Sequence, residues 1–143
     1  AHGLQLDPHI AVIRFDARLY YGAAAFFEDR VLEALVRLPE LRHIVLDAGG
    51  INRIDATGVE TLRRLVEDLR AGGVDIYVTR VKNDVWKVME RDGLAGMIGD
   101  DHFFDWNQHA LEHLWSGMQP DERSKSPLYG PNPREANAAV DPD

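Results

Sequence analysis

Short apolar runs alternating with stretches of helical periodicity constrain this chain more than any other feature. Residues 3–6 and 10–16 are extended candidates separated by Asp7-Pro8-His9, and proline beside aspartate sets a turn there, which predicts a β-hairpin. In its second arm Ile10, Val12 and Arg14 fall on one face and Ala11, Ile13 and Phe15 on the other, so both faces are expected to be largely covered. From Ala23 the period changes. Phe27, Val31, Leu35 and Leu38 recur at helical spacing while Glu28, Asp29, Glu33 and Arg37 occupy other faces, giving a first amphipathic helix that ends near Pro39.

His43-Ile44-Val45-Leu46-Asp47 is an apolar run bounded by charge and followed by Gly49-Gly50. This is the pattern of a central parallel strand covered on both sides. A second helix starts near 55–57, carries Val59, Leu62, Val66 and Leu69 as its stripe, and stops at Gly72-Gly73. The next strand is Val74-Asp75-Ile76-Tyr77-Val78. Asn83 or Asp84 then caps a third helix with Val85, Val88 and Met89. A loop containing Gly93, Gly96 and Gly99 leads to a short strand at 102–104, and Asn107 caps a last helix through Trp115. The order ββαβαβαβα, with helical crossovers of roughly 15 residues, predicts an α/β fold. It has a mostly parallel central sheet, an N-terminal β-hairpin, about four flanking helices and right-handed connections.

The chain has 143 residues, 45% of them hydrophobic, enough for one real core. Five of the seven prolines (Pro120, Pro127, Pro131, Pro133 and Pro142) fall after Ser116, where large apolar residues nearly vanish. Residues 1–116 therefore read as one domain, and 117–143 as a proline-rich, disordered tail that cannot recover its ordering entropy by burial. A net charge of -8, from 24 acidic against 16 basic residues, repels phosphate backbones and predicts no nucleic-acid partner. The absence of cysteine removes disulfides and thiolate chemistry and fits a reducing compartment. Apolar runs such as 23–27 fall far short of the roughly 18 to 20 residues of a membrane helix, so the polypeptide is expected to be soluble by itself. It begins at Ala1 without methionine or a signal peptide, as a piece of a longer protein would.

His109-Ala110-Leu111-Glu112-His113 matches the H-x-x-E-H pattern of some zinc peptidases. A third ligand from a distant rigid segment is also needed, and only the proline-rich tail follows. The run is read as a partly exposed helix, and no metal or cofactor is assigned. The carboxylates Asp47, Asp55, Asp100 and Asp101 carry no sign of the water-poor cleft that acid/base chemistry requires. No Ser-His-Asp order, Walker A run or G-x-G-x-x-G follows a strand, and Gly49-Gly50 is too little for a phosphate loop. No catalytic residue is assigned and the chain is not read as an enzyme.

The most informative stretch is Ile54-Asp55-Ala56-Thr57-Gly58-Val59-Glu60-Thr61-Leu62. Thr57 and Glu60 have capping-box spacing, and Asp55 is an alternative cap. The same helix start, beside the carboxyl end of a parallel strand, is also a place for an anion. Arg80, Lys82 and Lys87 should reach that end of the sheet. Asp55, Thr57, Gly58, Arg80, Lys82 and Lys87 are thus the candidates for an anion or ligand contact, with Thr57 a possible phosphoacceptor.

Asp55-Ala56-Thr57-Gly58, placed between a short strand and a helix with Leu62, Leu65 and Val66, resembles the D-x-[ST]-G segment of STAS domains. That family spans SulP transporters and anti-sigma-factor antagonists. Upstream, the strand from Ile10 to Asp16 that ends in Leu19-Tyr20-Tyr21-Gly22 is similar to the transporter branch. The resemblance covers roughly residues 4 to 115. It implies a non-catalytic cytosolic module of a sulfate or other anion transporter in the inner or plasma membrane. The module's partner is the transporter's transmembrane domain; some relatives bind anions, nucleotides or acyl carrier protein. The alternative branch is a free-standing antagonist that switches protein partners when a hydroxyl in the motif is phosphorylated. Ala56 has no hydroxyl, which leaves only Thr57 for that role.

Overall fold

The computed structural model describes residues 4–6, 8–14 and 23–118. β1 (Leu4–Leu6) and β2 (Ile10–Arg14) form the expected antiparallel hairpin, with Leu4 opposite Ile13 and Leu6 opposite Ala11. There follow α1 (Ala23–Arg37), β3 (His43–Asp47), α2 (Ala56–Ala71), β4 (Asp75–Thr79), α3 (Asn83–Arg91), α4 (Leu94–Ile98), β5 (Phe103–Phe104) and α5 (Asn107–Ser116). The sheet order is β1-β2-β3-β4-β5, and every pair after the hairpin is parallel. Phe15, the Leu19-Tyr20-Tyr21-Gly22 run, the side chain of Phe27 and the tail from residue 119 lie outside the described residues.

A strand order that never reverses, joined by crossovers of one hand, puts every crossover helix on the same face. The core divides accordingly. Ala11 and Ile13 of β2, Ile44 and Leu46 of β3, and Ile76 and Val78 of β4 meet Val31 and Ala34 of α1, the α2 stripe and the apolar residues of α3 and α4. The alternate residues Ile10, Val12, Val45 and Tyr77 meet Ala110, Leu111, Leu114 and Trp115 of α5. The period of two along each strand thus sorts residues between two clusters, as the alternation in β2 predicts. Full burial of an isoleucine such as Ile44, which has no exposed surface, is worth about 1.5 to 3 kcal/mol. Among the described elements the chain changes face once, between β5 and α5, at the carboxyl edge of the sheet.

Two local expectations are corrected. The glycine-marked segment after α3, expected to be a loop, contains α4: Gly93 (φ +80°) and Gly99 (φ +110°) bound it, while Leu94, Ala95 and Ile98 are buried between them. Two of the glycines therefore delimit a helical turn. Neither Asn83 nor Asp84 caps α3; Lys82 occupies the cap position without its side chain capping the helix, and the Trp86 N–H closes the first turn on the Lys82 carbonyl at 2.8 Å. At the end of α2 the predicted stop holds, with Gly73 in the left-handed region (φ +86°). No helix among the described residues is long and apolar enough to cross a membrane.

Candidate functional site at the carboxyl edge of the sheet

Parallel register brings Arg14, Asp47 and Thr79 into one row at the carboxyl ends of β2, β3 and β4. Asp47 shares the parity of Val45, so its side chain is directed to the α5 face, and the residue is only 2% exposed. A carboxylate at such a position must be hydrogen-bonded. The Gly49 N–H donates to Oδ1 at 2.9 Å and the Asn107 amide donates to Oδ2 at 2.9 Å. Asn107 in turn accepts a short hydrogen bond from the buried Thr79 hydroxyl. The Arg80 guanidinium lies 3.8 Å from Asp47 Oδ2 and 5.7 Å from the centre of the Trp106 ring. Asn107, expected as the cap of the last helix, is instead its first residue, and Trp106 holds the cap position. Its amide serves the buried network.

The α2 entrance lies at the same end of β3. Asp55 caps the helix, its Oδ1 accepting from the Gly58 N–H at 2.8 Å, so two of the expected site residues do meet. Thr57 makes no part of the cap and is exposed in the first turn. Thr57→Ala should therefore change stability by less than about 0.5 kcal/mol, whereas Asp55→Ala should cost about 1 kcal/mol. Chemical denaturation of the two variants checks the assignment, and a larger loss from Thr57→Ala would reverse it.

Lys82 Nζ donates a short hydrogen bond to the Asn52 side chain in the β3–α2 connection, which ties the segment after β4 to the α2 entrance. Arg80 leans the other way, onto Asp47 and Trp106. Lys87 is exposed on α3. The structure thus gathers Asp55 with Gly58 and brings Arg80 and Lys82 to the same edge, in two separate contacts. Sequence reasoning did not join Asp47, Thr79, Trp106 and Asn107 into one group. A polar residue on the inward parity of an otherwise apolar strand was the signal for Asp47; nothing in the sequence pairs it with Asn107, sixty positions on.

Near the opposite edge, His102 lies between Asp75 (Nε2 to Oδ2, 2.7 Å) and Asp101 (Nδ1 to Oδ1, 2.8 Å) and stacks on Tyr77 at 4.4 Å. Burial, helped by Asp75 and Asp101, pushes the Tyr77 hydroxyl up from its ordinary value. Of the H-x-x-E-H residues, His109, Glu112 and His113 are all exposed, and the His113 ring sits 5.9 Å from Tyr77 and 5.5 Å from Phe104. Among the described residues no three His, Cys, Asp or Glu side chains are grouped to hold a metal ion.

The model of the STAS domain matches residues 4–110, most of the chain and all five strands. This chain belongs to the STAS domain family. Its STAS domain is 26% identical over 134 residues to a probable sulfate transporter, 4.2, of Arabidopsis thaliana, a match covering 84% of this chain and 20% of that protein. The chain therefore spans about a fifth of the length of that curated relative. Two solved structures have the same fold. The SulP transporter STAS domain of Vibrio cholerae superposes with a TM-score of 0.65 at 19% identity, covering 78% of this chain and 85% of that one. The unphosphorylated anti-sigma factor antagonist SpoIIAA superposes at 0.66 with 17% identity, covering 83% of this chain and 100% of that one. Backbone similarity to these two structures is nearly equal.

Proposed function

We propose that this STAS domain is the cytoplasmic, non-catalytic regulatory module of a SulP-type sulfate or other anion transporter, acting on the transmembrane part of the same protein. The observation that carries this reading is the match, over 84% of this chain, to a fifth of a probable sulfate transporter. The relatives matched by sequence are transporters of which this domain is a part, whereas the full-length match to the short antagonist SpoIIAA, at 17% identity, is one of fold alone. The carboxyl edge, with Asp55, Thr57 and Gly58 at the α2 entrance and Arg80, Lys82 and Lys87 after β4, is the ligand-contacting part, toward an anion or a nucleotide. Helix starts and basic side chains favour such groups there even though the chain as a whole is acidic. The domain works by binding, and acyl carrier protein is a further partner class for its surface.

The test is made on the full-length gene. Membrane helices should be encoded upstream of Ala1, and deleting this domain should lower sulfate or other anion uptake at least about tenfold while the membrane part still inserts. Uptake untouched by the deletion would overturn the reading. A reading frame without membrane helices would favour the partner-switching antagonist, for which exposed Thr57 is the phosphoacceptor.

A further inference from the structure

Arg80 is the only non-glycine residue among those described with a positive φ, +60°. The left-handed region crowds an L side chain, and glycine or asparagine usually occupies it. Arginine offers no local relief there, so a strained residue of this kind points to a role for its side chain. The backbone is held by the Arg80 N–H donating to the Phe104 carbonyl at 3.0 Å. From that position the guanidinium folds across the end of β3, between the Asp47 carboxylate and the indole of Trp106. Gly49 closes the cradle from a third side: a Cβ there would stand 3.1 Å from Arg80 Cζ and 3.2 Å from Nε.

A counter-ion for buried Asp47 would need less. Both Asp47 oxygens already accept hydrogen bonds, from Gly49 and Asn107. The Arg80 contact, at 3.8 Å, is longer than a hydrogen bond, and no guanidinium N–H of Arg80 is hydrogen-bonded to a described residue. The side chain remains 30% exposed. Five donors in a planar fork, fixed by a carboxylate behind and an aromatic face beside, are suited to an oxyanion arriving from solvent. The starts of α2, α3 and α5 all lie at this edge and add positive potential.

We propose that Arg80 is the oxyanion-receiving residue of this domain, taking a tetrahedral group, either free sulfate or phosphate or the phosphate of a nucleotide. Asp47, Asn107 and Gly49 are its positioning residues. The inference rests on the ligand-binding part of the reading above and moves its centre from the start of α2 to Arg80.

The 143-residue chain is titrated by two-dimensional amide NMR with sodium sulfate, sodium phosphate and ATP at low ionic strength, against sodium chloride at matched ionic strength to control for screening. Saturable shifts are expected at Gly49, Gly50, Arg80 and the Trp106 indole. Arg80→Gln should weaken binding about tenfold or more, and Arg80→Lys several-fold, because one ammonium cannot reproduce the fork. Gly49→Ala keeps every charge but puts a Cβ 3.1 Å from both Arg80 Cζ and Asp47 Oδ1, so it should displace the guanidinium and weaken binding, with spectral changes confined to the carboxyl edge, which covers the case in which Arg80→Gln fails to fold. Equal affinity for sulfate and ATP identifies a free oxyanion as the ligand; ATP about tenfold tighter identifies a nucleotide phosphate. Absence of saturable shifts in the wild type, or unchanged affinity in both Arg80→Lys and Gly49→Ala, leaves Arg80 as a counter-ion and overturns the proposal. Either result leaves the transporter reading standing, since that is measured by uptake in the full-length protein.

Discussion

Asp47→Ala is expected to cost about 3 kcal/mol of folding stability, because it removes the acceptor on which the carboxyl edge is organised. The Gly49 N–H and the Asn107 amide both lose their partner, and Arg80 loses its counter-charge, in surroundings that leave the Asp47 side chain only 3% exposed. Removing one member of a fully buried ion pair costs roughly 3 to 5 kcal/mol. Arg80 is partly exposed and can turn toward water, which places the loss at the low end. For a domain of this size the thermal midpoint should fall by roughly 10 °C. Asp47→Asn keeps an oxygen for Gly49 and should lose about half as much. Pairing Asp47→Ala with Asn107→Ala in a double-mutant cycle should give less than the sum of the single losses, since one hydrogen bond is counted in both. A midpoint within 2 or 3 °C of wild type, a change of under about 1 kcal/mol, would show that the network contributes no net stability.

Arg70→Met should be nearly as costly, about 2 to 3 kcal/mol, for a different reason. Arg70 stands in the last turn of α2, where its Nε donates to Asp75 Oδ1 at 3.0 Å and its two terminal nitrogens donate to the carbonyls of Met97 (2.7 Å) and Ile98 (2.5 Å). Those carbonyls end α4, a five-residue helix whose last acceptors have no partner within the helix. One planar fork thus holds α2, α4 and the start of β4 together. Methionine keeps the apolar stem and loses all three bonds; lysine should restore only part, lacking the fork. A lower urea midpoint with faster amide exchange in α4 is the expected result. Unchanged α4 exchange would rule the clamp out.

The same clamp sets an acid limb. Burial, the largest single influence, pushes the Asp75 carboxyl up, but the hydrogen bonds from His102, Arg70 and the Ile76 N–H together outweigh it and hold the group below its ordinary value. A carboxyl depressed by folding contributes stability above its unfolded pKa of about 3.9, and that contribution is lost as the pH falls through the lower folded value. The wild type should therefore lose stability progressively below about pH 4, and Asp75→Asn should flatten that part of the curve. Asp101 is also lowered, by its hydrogen bond from His102, but at 85% exposure of its side chain it contributes little to the slope.

Much of the architecture was legible because it depends on local periodicity. The period of two in Ile10-Ala11-Val12-Ile13 and the helical stripe of Val59, Leu62, Val66 and Leu69 each name a buried face from neighbouring residues alone. The same locality misled at 93–99, where three glycines read as a loop although two of them bound α4. It also left the cap of α2 undecided, because Asp55 and Thr57 both have a capping side chain at an acceptable offset. The backbone at Asp55, extended with φ -106° and ψ -179°, is what selects it.

By itself the sequence determined the order of the strands and of every long helix, the two-faced burial of the central strands, the hairpin and the family, since each follows from spacing within a few residues or from a short run such as Asp55-Ala56-Thr57-Gly58. Only the tertiary structure decided which polar groups share a site. Asp47, Thr79, Arg80 and Asn107 converge because parallel register stacks the strand ends in a row and the chain then crosses that edge into α5. Hydrogen bonding acts over about 3 Å in space and is indifferent to the sixty residues that separate Asp47 from Asn107 along the chain. No local pattern encodes such a meeting, and the left-handed backbone that aims Arg80 at it is likewise imposed by the sheet against the preference of the residue.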